Sequence, residues 1–303
     1  MAISRSQLVK ELEPGLNALF GLEYKRYENQ HAEIYNEESS DRAFEEEVML
    51  SGFANAQVKG EGSGVSFDEA QETFTARYTH ETVALAFAIT EEAIEDNLYD
   101  RLASRYTKAL ARSMSNAKQV KSVEPLINGL PTADAFDSGD GVSLFNTSHP
   151  TVAGTFANTL ATQADLNETS LEQSLIDIGQ MSDERGLRIA ARGVKMIIPS
   201  ELQFTAERLM KSQGRTSTAD NDINAIVSMG MIPQGYRVNN YLTDSDAFYI
   251  LTDVPNGMKM FNRAPLTTAM EGDFDTGNVR YKARERYSFG VSDPRGIFGV
   301  EGA

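Results

Sequence analysis

The sequence predicts an α+β fold, with helices and strands following one another irregularly instead of in repeating βαβ units. Three observations carry this. Residues 73–79 alternate, with Phe74, Ala76 and Tyr78 on one side and Thr or Arg on the other, the period-two mark of a half-buried strand. Across residues 90–121, Ile94, Leu98, Leu102, Tyr106, Leu110 and Met114 recur at i+4 steps, which predicts one helix of about 31 residues, roughly 45 Å long at about 1.5 Å per residue. Beyond that helix, strand and helix signals mix without regular order, and no internal repeat is apparent.

Composition narrows the function classes. The 303 residues suffice for one large domain or two ordinary ones, and 41% are apolar, enough for a sizeable core. The 28 Lys and Arg against 44 Asp and Glu leave a formal charge of −16, which disfavours net attraction to nucleic acid or anionic membranes. Cysteine is absent, removing disulfides, thiolate nucleophiles, Cys-ligated zinc and iron–sulfur chemistry, and fitting a reducing compartment. The start, Met-Ala-Ile-Ser-Arg-Ser-Gln-Leu-Val-Lys, lacks a signal-peptide apolar stretch, and no run approaches transmembrane length. The glycosylation matches at Asn146 and Asn167 then read as chance.

In chain order, residues 1–47 are acidic and sparsely apolar. Leu8, Leu12, Leu16, Leu19, Phe20 and Leu22 predict a short amphipathic helix interrupted by Pro14-Gly15, and residues 37–47 carry six carboxylates against one arginine. With too little apolar surface for a core, this stretch is expected to be an arm lying on something else. Residues 48–80 read as a hairpin with the glycine-rich tip Lys59-Gly-Glu-Gly-Ser-Gly64. Val83, Leu85, Phe87 and Ile89 then alternate with Ala84, Ala86 and Ala88, a strand with one bulky and one small face. Thr90 is a suitable N-cap for the long helix, Glu91-Glu92 favour its first turn, and Lys118 and Lys121 favour its end. An extended hairpin joined to so long a helix cannot fit one compact monomer, so other subunits are expected to cover their apolar faces.

Residues 129–165 read as loop. A second helix is predicted over residues 167–185, stopping at Gly186, and residues 194–198 as a buried strand ended by Pro199. Ser200 is placed as the cap of a third helix through about Ser212, with Gly214 as its stop. After a polar loop, Ile223, Ile226 and Val227 suggest a short helix closed by Gly230. Strands follow over residues 236–241, 247–252, about 258–262 and 278–291.

Catalytic signals are weak. His31, His80 and His149 are isolated in sequence and read as ordinary surface or core histidines. Gly62-Ser63-Gly64 lacks the nucleophile-elbow spacing, and Gly60-x-Gly62 fails the dinucleotide fingerprint because Val65 stands where a glycine belongs. Asp134, Asp137 and Asp140, or Asp220 and Asp222, could hold a divalent cation, yet neither set matches the EF-hand spacing and solvated loops are the default. Asp244 and Asp246 border a turn. The sharpest charge signal is residues 280–286, where a strand would project Arg280, Lys282, Arg284 and Arg286 to one face. A nucleic-acid stripe conflicts with the acidic balance. Two readings stay open: pairing with a neighbouring subunit's acidic segment, for example Glu45-Glu46-Glu47, or a salt-bridge ladder within the chain.

Arm, hairpin, long helix, mixed domain and returning strands, in that order, resemble the tailed-phage major capsid protein with the Hong-Kong-97-type fold. The segments 196–202, 231–238 (Met-Ile-Pro-Gln-Gly-Tyr-Arg-Val), 241–253 and 280–287 are similar to its Mu-like major head subunit branch. The resemblance covers nearly the whole chain, and its motifs are structural. It implies an N-arm over residues 1–47, an E-loop over 48–80, a peripheral domain over 81–129 and 251–303 containing a spine helix at 90–121, and an axial domain over 130–250. It further implies pentamers and hexamers closing into an icosahedral shell around double-stranded DNA, made in the host bacterial cytoplasm, with no cofactor, no catalysis and no membrane. Scaffold, portal and decoration proteins are the implied partners; the arm's early start implies a separate scaffold or processed numbering. Some relatives crosslink a loop-tip lysine to a neighbour's asparagine, a role Lys59 could fill with a partner left open. An encapsulin-like compartment shell and a metal-dependent hydrolase are the alternatives.

Overall fold

Two four-stranded sheets and a protruding two-stranded ribbon organise the chain. The structure, a computed structural model, describes residues 5–90, 92, 99–133, 135–214, 223–273 and 277–303. The first sheet has the order β1-β10-β11-β4, formed by β1 (Asn36–Ser39), β10 (Met258–Gly272), β11 (Val279–Val291) and β4 (Glu81–Ile89). The second has the order β12-β9-β7-β8, formed by β12 (Ile297–Val300), β9 (Phe248–Thr252), β7 (Gly193–Ile198) and β8 (Tyr236–Val238). The ribbon pairs β2 (Phe44–Leu50) with β3 (Glu72–Thr79), and a small hairpin pairs β5 (His149–Thr151) with β6 (Gly154–Phe156). Helices and strands are mixed as expected of an α+β chain.

The first sheet is covered along one face, and on the other only at the end where Tyr78 and His80 lie over Phe261, Ser288 and Gly290. On the covered face Tyr281 and Ala283 are buried, with Phe87, Ile89, Leu266 and Met270 beside them, against helices α1 (Arg5–Tyr24) and α2 (Tyr99–Asn128) through Leu16, Phe20, Leu110, Ala111 and Met114. Asn17 ties α1 to this sheet, its Oδ1 accepting from Tyr281 Oη and Thr268 Oγ1, each at 2.8 Å. The helical part of the segment expected to lie on something else thus packs on the chain's own sheet. Pro14 sits within α1 without ending it, contrary to the expected interruption. The helix is held by the packing of Leu16 and Phe20, which offsets the roughly 3 kcal/mol that an interior proline costs.

Helix α2 ends at Asn128, seven residues beyond the expected 121, because Val123 and Leu126 prolong its buried stripe into the core between the sheets. Of the expected start, residues 91 and 93–98 lie outside the described residues, and Glu92 is helical. That central core also holds Leu144, Phe145, Ile197, Tyr249, Met258, Met260 and Ile297. On the other side of the second sheet, Met196, Ile198 and Ile250 pack against α3 (Glu168–Gln180), α4 (Gln203–Lys211) and α5 (Ala225–Met229). Strand β7 is thus buried on both faces, which is why it reads as an unbroken apolar run.

Other boundaries depart as well: β8 ends at Val238, not 241, β10 runs on to Gly272, not 262, and Ile223 precedes α5. Helix α3 begins at a capping box between Asn167 and Ser170, but stops at Gln180, not 185. Past it, Asp183 Oδ1 accepts from the amides of Arg185 and Leu187 at 2.9 and 2.7 Å, offering the backbone a turn in place of further helix. Ser200 opens a short 3-10 turn and α4 follows from Gln203; Gly214 bridges to Ile223 instead of serving as the stop. Strand β12 and the β5–β6 hairpin lacked a clear alternation in the sequence. β12 contains Gly299, where a Cβ would fall 2.6 Å from the Phe145 ring.

Candidate assembly surface

The ribbon leaves the body through a densely bonded root. Strand β3 runs into β4 with only His80 between them. Ala76 and Tyr78 are buried as the alternation predicted, and Tyr78 Oη meets Ser292 Oγ at 2.5 Å while its ring crosses that of Phe261 edge-on. Gly290 makes room for this ring, since a Cβ there would lie 2.6 Å from it. Lys259 Nζ reaches Glu47 at 2.5 Å and Glu38 at 3.2 Å. Burial pulls the Lys259 ammonium down, but the two carboxylates outweigh it and hold it above the ordinary value.

Beyond the root, residues 52–71 form no strand and their apolar side chains face solvent. Leu50, Phe53 and Val65 are exposed, Val58 is 99% exposed and Phe67 97%. A turn closed by Ser63 N donating to Gly60 O makes the tip, with Gly62 at φ 78°, and Lys59 beside it is exposed. One tether reaches back: Arg185 donates to Glu69 O at 2.5 Å and lies 3.6 Å from Asp68. The amides of Ala54 and Glu69, with Arg185, hold Asp68 below the usual carboxylate range.

The open face of the first sheet is the second feature. Along β11 exposure alternates, so Arg280, Lys282 and Arg284 project outward with Arg286 half-buried, while Tyr281, Ala283, Glu285 and Tyr287 turn into the protein. The cationic row is flanked by small residues: Ala88, Ala86, Ala84 and Thr82 on β4, and Ala269, Thr267 and Ala264 on β10, with Glu271 opposite Arg280. Arg280 pairs with Asp273, and Arg286 donates to Ala43 O at 3.5 Å. Lys282 and Arg284 make no ion pair among the described residues. The intrachain ladder is therefore confined to one end of the row.

Glu45, Glu46 and Glu47 do not meet that row in the same chain. Glu45 accepts from Ser40 Oγ at 2.7 Å and lies 3.8 Å from Arg42; Glu46 lies 3.7 Å from Arg77; Glu47 is held by Lys259. All three already have partners at the ribbon's own base.

The acidic loop proposed for a cation is committed elsewhere. Asp137 Oδ1 accepts from the amides of Gly139 and Gly141, and buried Asp140 meets His149 Nδ1 at 2.6 Å. Burial raises the Asp140 carboxyl, yet hydrogen bonds from His149 and Ser138 outweigh it and hold it below the usual range. Asp134, Asp220 and Asp222 lie outside the described residues, and among the described residues no three His, Asp or Glu side chains gather as metal ligands. Asp244 Oδ1 caps the Asp246 amide at 3.3 Å. Of the histidines, His31 is buried, its Nδ1 3.1 Å from Gln119 and its Nε2 3.2 Å from Glu37. Sequence reading missed the buried Arg295, which reaches Glu184 at 2.7 Å and Asp293 at 3.2 Å and lies 4.1 Å over the Phe156 ring. No spacing signal links residues 111 apart.

No curated protein sequence matches the chain. Similar solved structures include the capsid of Myoviridae phage XM1, at 12% identity over 89% of either chain with a TM-score of 0.53. The capsid of an empty GTA particle is 14% identical over 91% of this chain and 90% of that one, with a TM-score of 0.53. A virus-like particle from Pyrococcus furiosus is 11% identical over 94% and 98%, with a TM-score of 0.51. Such identities speak to fold alone, and the fold is the Hong-Kong-97 type. In sequence, the profile of the phage capsid protein family matches residues 72–300, well over half of the chain. The chain belongs to the phage capsid protein family.

Proposed function

We propose that this protein is the major capsid subunit of a tailed bacterial virus, assembling into pentamers and hexamers that close an icosahedral head around double-stranded DNA. The observation that carries this reading is surface in excess. The accessible area is 16847 Å², against roughly 12,600 Å² for a compact monomer of 33.3 kDa. A standard interface covers roughly 800 Å² per partner, so the excess suits several neighbours at once. Much of it lies on the ribbon, whose exposed Phe53, Val58, Val65 and Phe67 have nothing to pack against in the single chain.

In this reading residues 1–47 act as the arm, 48–80 as the extended loop, 81–129 with 251–303 as the peripheral domain and 130–250 as the axial domain. The segments 196–202 and 231–238 support placing the chain in the Mu-like head subunit branch. The cationic row with its alanine borders is a flat seat for an acidic segment of the next subunit. Since Glu45, Glu46 and Glu47 have partners of their own, they would join that contact as part of a larger acidic base. Lys59, at the tip, would reach furthest onto a neighbour. The role is structural, with no reaction to catalyse and no cofactor. Assembly is placed in the host cytoplasm, with scaffold, portal and decoration proteins as partners. The −16 charge keeps the free subunit soluble and repels packaged DNA from the wall.

The likeness to a virus-like particle supports a second reading, a compartment shell that holds a protein cargo. Negative-stain microscopy of the protein produced with the scaffold from its own gene neighbourhood tests both. Capsomers or closed shells are expected, and a persistent monomer overturns the shell reading. A portal and terminase encoded nearby favour the viral head, and a host-encoded cargo tail favours the compartment.

A further inference from the structure

We propose that His80 is a proton-sensitive latch at the ribbon's root, holding the hairpin in place while neutral and releasing it when protonated. His80 is the one residue between β3 and β4, so the ribbon turns on it. Its ring is buried, with Nε2 2.9 Å from Ser40 Oγ, Nδ1 2.9 Å from Ser288 Oγ, and its edge toward Phe261. The neighbours dictate the tautomer. Glu45 Oε1 can only accept, so the Ser40 hydroxyl hydrogen at 2.7 Å goes to it. Ser40 Oγ must then accept from His80 Nε2–H, which leaves Nδ1 bare to accept from the Ser288 hydroxyl. One imidazole thus joins the β1–β2 link, the ribbon and β11.

A second proton reverses one of these bonds and brings a charge into the interior. It would sit on Nδ1, force the Ser288 hydroxyl to turn from donor to acceptor, and above all put a cation in a buried site. The charged groups acting on the ring are Glu45 from the β1–β2 side, Arg263 from β10 and Arg286 from β11. Lys259, satisfied by Glu38 and Glu47, lies further along β10. Arg263 Nε donates to Arg42 O at 2.8 Å and Arg286 to Ala43 O, so both arginines are fixed where a new cation would be repelled. Burial first, and Arg286 and Arg263 with it, hold the imidazole below its ordinary 6.5, with Glu45 opposing them. A depressed histidine means the released state binds the proton more tightly. Anchorage is therefore full above the ordinary value and is lost as pH falls through the window below it.

Hydrogen exchange of the unassembled full chain, corrected for the intrinsic pH dependence of exchange, reads this directly. Between about pH 7.5 and about pH 5, the amides of β2 and β3 should lose at least about threefold in protection while those of β7 and β9 hold theirs. His80→Gln keeps a donor and an acceptor without a titrating group, and should abolish the difference. Two further variants move the midpoint in opposite directions: Arg286→Gln upward and Glu45→Gln downward. Equal losses in all strands, a pH response retained in His80→Gln, or midpoints that ignore both charge variants would each overturn the latch. Should His80→Gln fail to fold, the paired charge variants decide alone.

Discussion

At the scale of single residues, the strongest test falls on Arg295. Its guanidinium satisfies Glu184, Asp293 and, through Nε at 2.8 Å, the carbonyl of Ser182, all in the interior. Removing one member of a buried ion network leaves uncompensated charge, so Arg295→Met should cost about 3–5 kcal/mol in urea unfolding at neutral pH. The deficit has a pH sign. Burial raises the Asp293 carboxyl and Arg295 offsets only part of this. A raised carboxyl favours the folded state below the usual carboxylate value and loses that contribution as pH rises through its folded value. Without Arg295 the carboxyl rises further, so the gap between variant and wild type should shrink on mild acidification. A gap that widens instead would mean Asp293 is not the group left exposed to the loss. Arg295 also marks a limit of sequence reading. The outward row of Arg280, Lys282 and Arg284 was legible because period-two alternation is local, whereas Arg295, Glu184 and Asp140 with His149 meet only through tertiary contacts.

At the scale of elements, what was legible followed apolar periodicity, and what was missed followed competition at element ends. The ribbon's buried side, β7, β9 and the long helix were all written in their spacing. The end of α3 was not, because the Asp183 turn competes with the helix by a side-chain bond that periodicity does not weigh. Nor was the continuity of α1 through Pro14, which tertiary packing enforces against intrinsic preference. The candidate surface was half legible: its glycine tip and cationic row could be seen, but the bonding of Glu46 to Arg77 and Glu47 to Lys259 could not. The ribbon itself yields a clean prediction. Val58 and Phe67 are almost fully exposed in the single chain, so Val58→Ser with Phe67→Ser should leave urea stability within about 0.5 kcal/mol. In an assembled shell each covered side chain contributes about 1.5–3 kcal/mol per subunit, so the same variant should raise the concentration needed for assembly more than tenfold. Unimpaired assembly, read by sedimentation, would mean these residues stay in solvent.

At the scale of the whole molecule, two forces compete when copies meet, and they can be separated. Each subunit carries −16, so like copies repel unless unlike patches are brought together. On the open face of the first sheet several exposed positive groups stand in line, and Lys282 and Arg284 there have no ion-pair partner within the described chain. The apolar ribbon, by contrast, gains from salt, which strengthens burial and screens the repulsion. Arg284→Glu distinguishes the two. Arg284 is exposed and paired across β11 with Ala84 and Thr267, so the substitution leaves no buried charge behind and subunit unfolding should be unchanged. Assembly should fail at low salt, where the new carboxylate faces another subunit's acids across less than the screening distance of about 10 Å at 0.1 M. Raising the salt toward about 1 M shortens that distance to about 3 Å and should restore part of the yield, because the ribbon contact survives. Light scattering against ionic strength, for wild type and variant in parallel, measures both. If Arg284→Glu assembles like the wild type at low salt, the cationic row does not seat a neighbour, and the ribbon alone must carry the lattice.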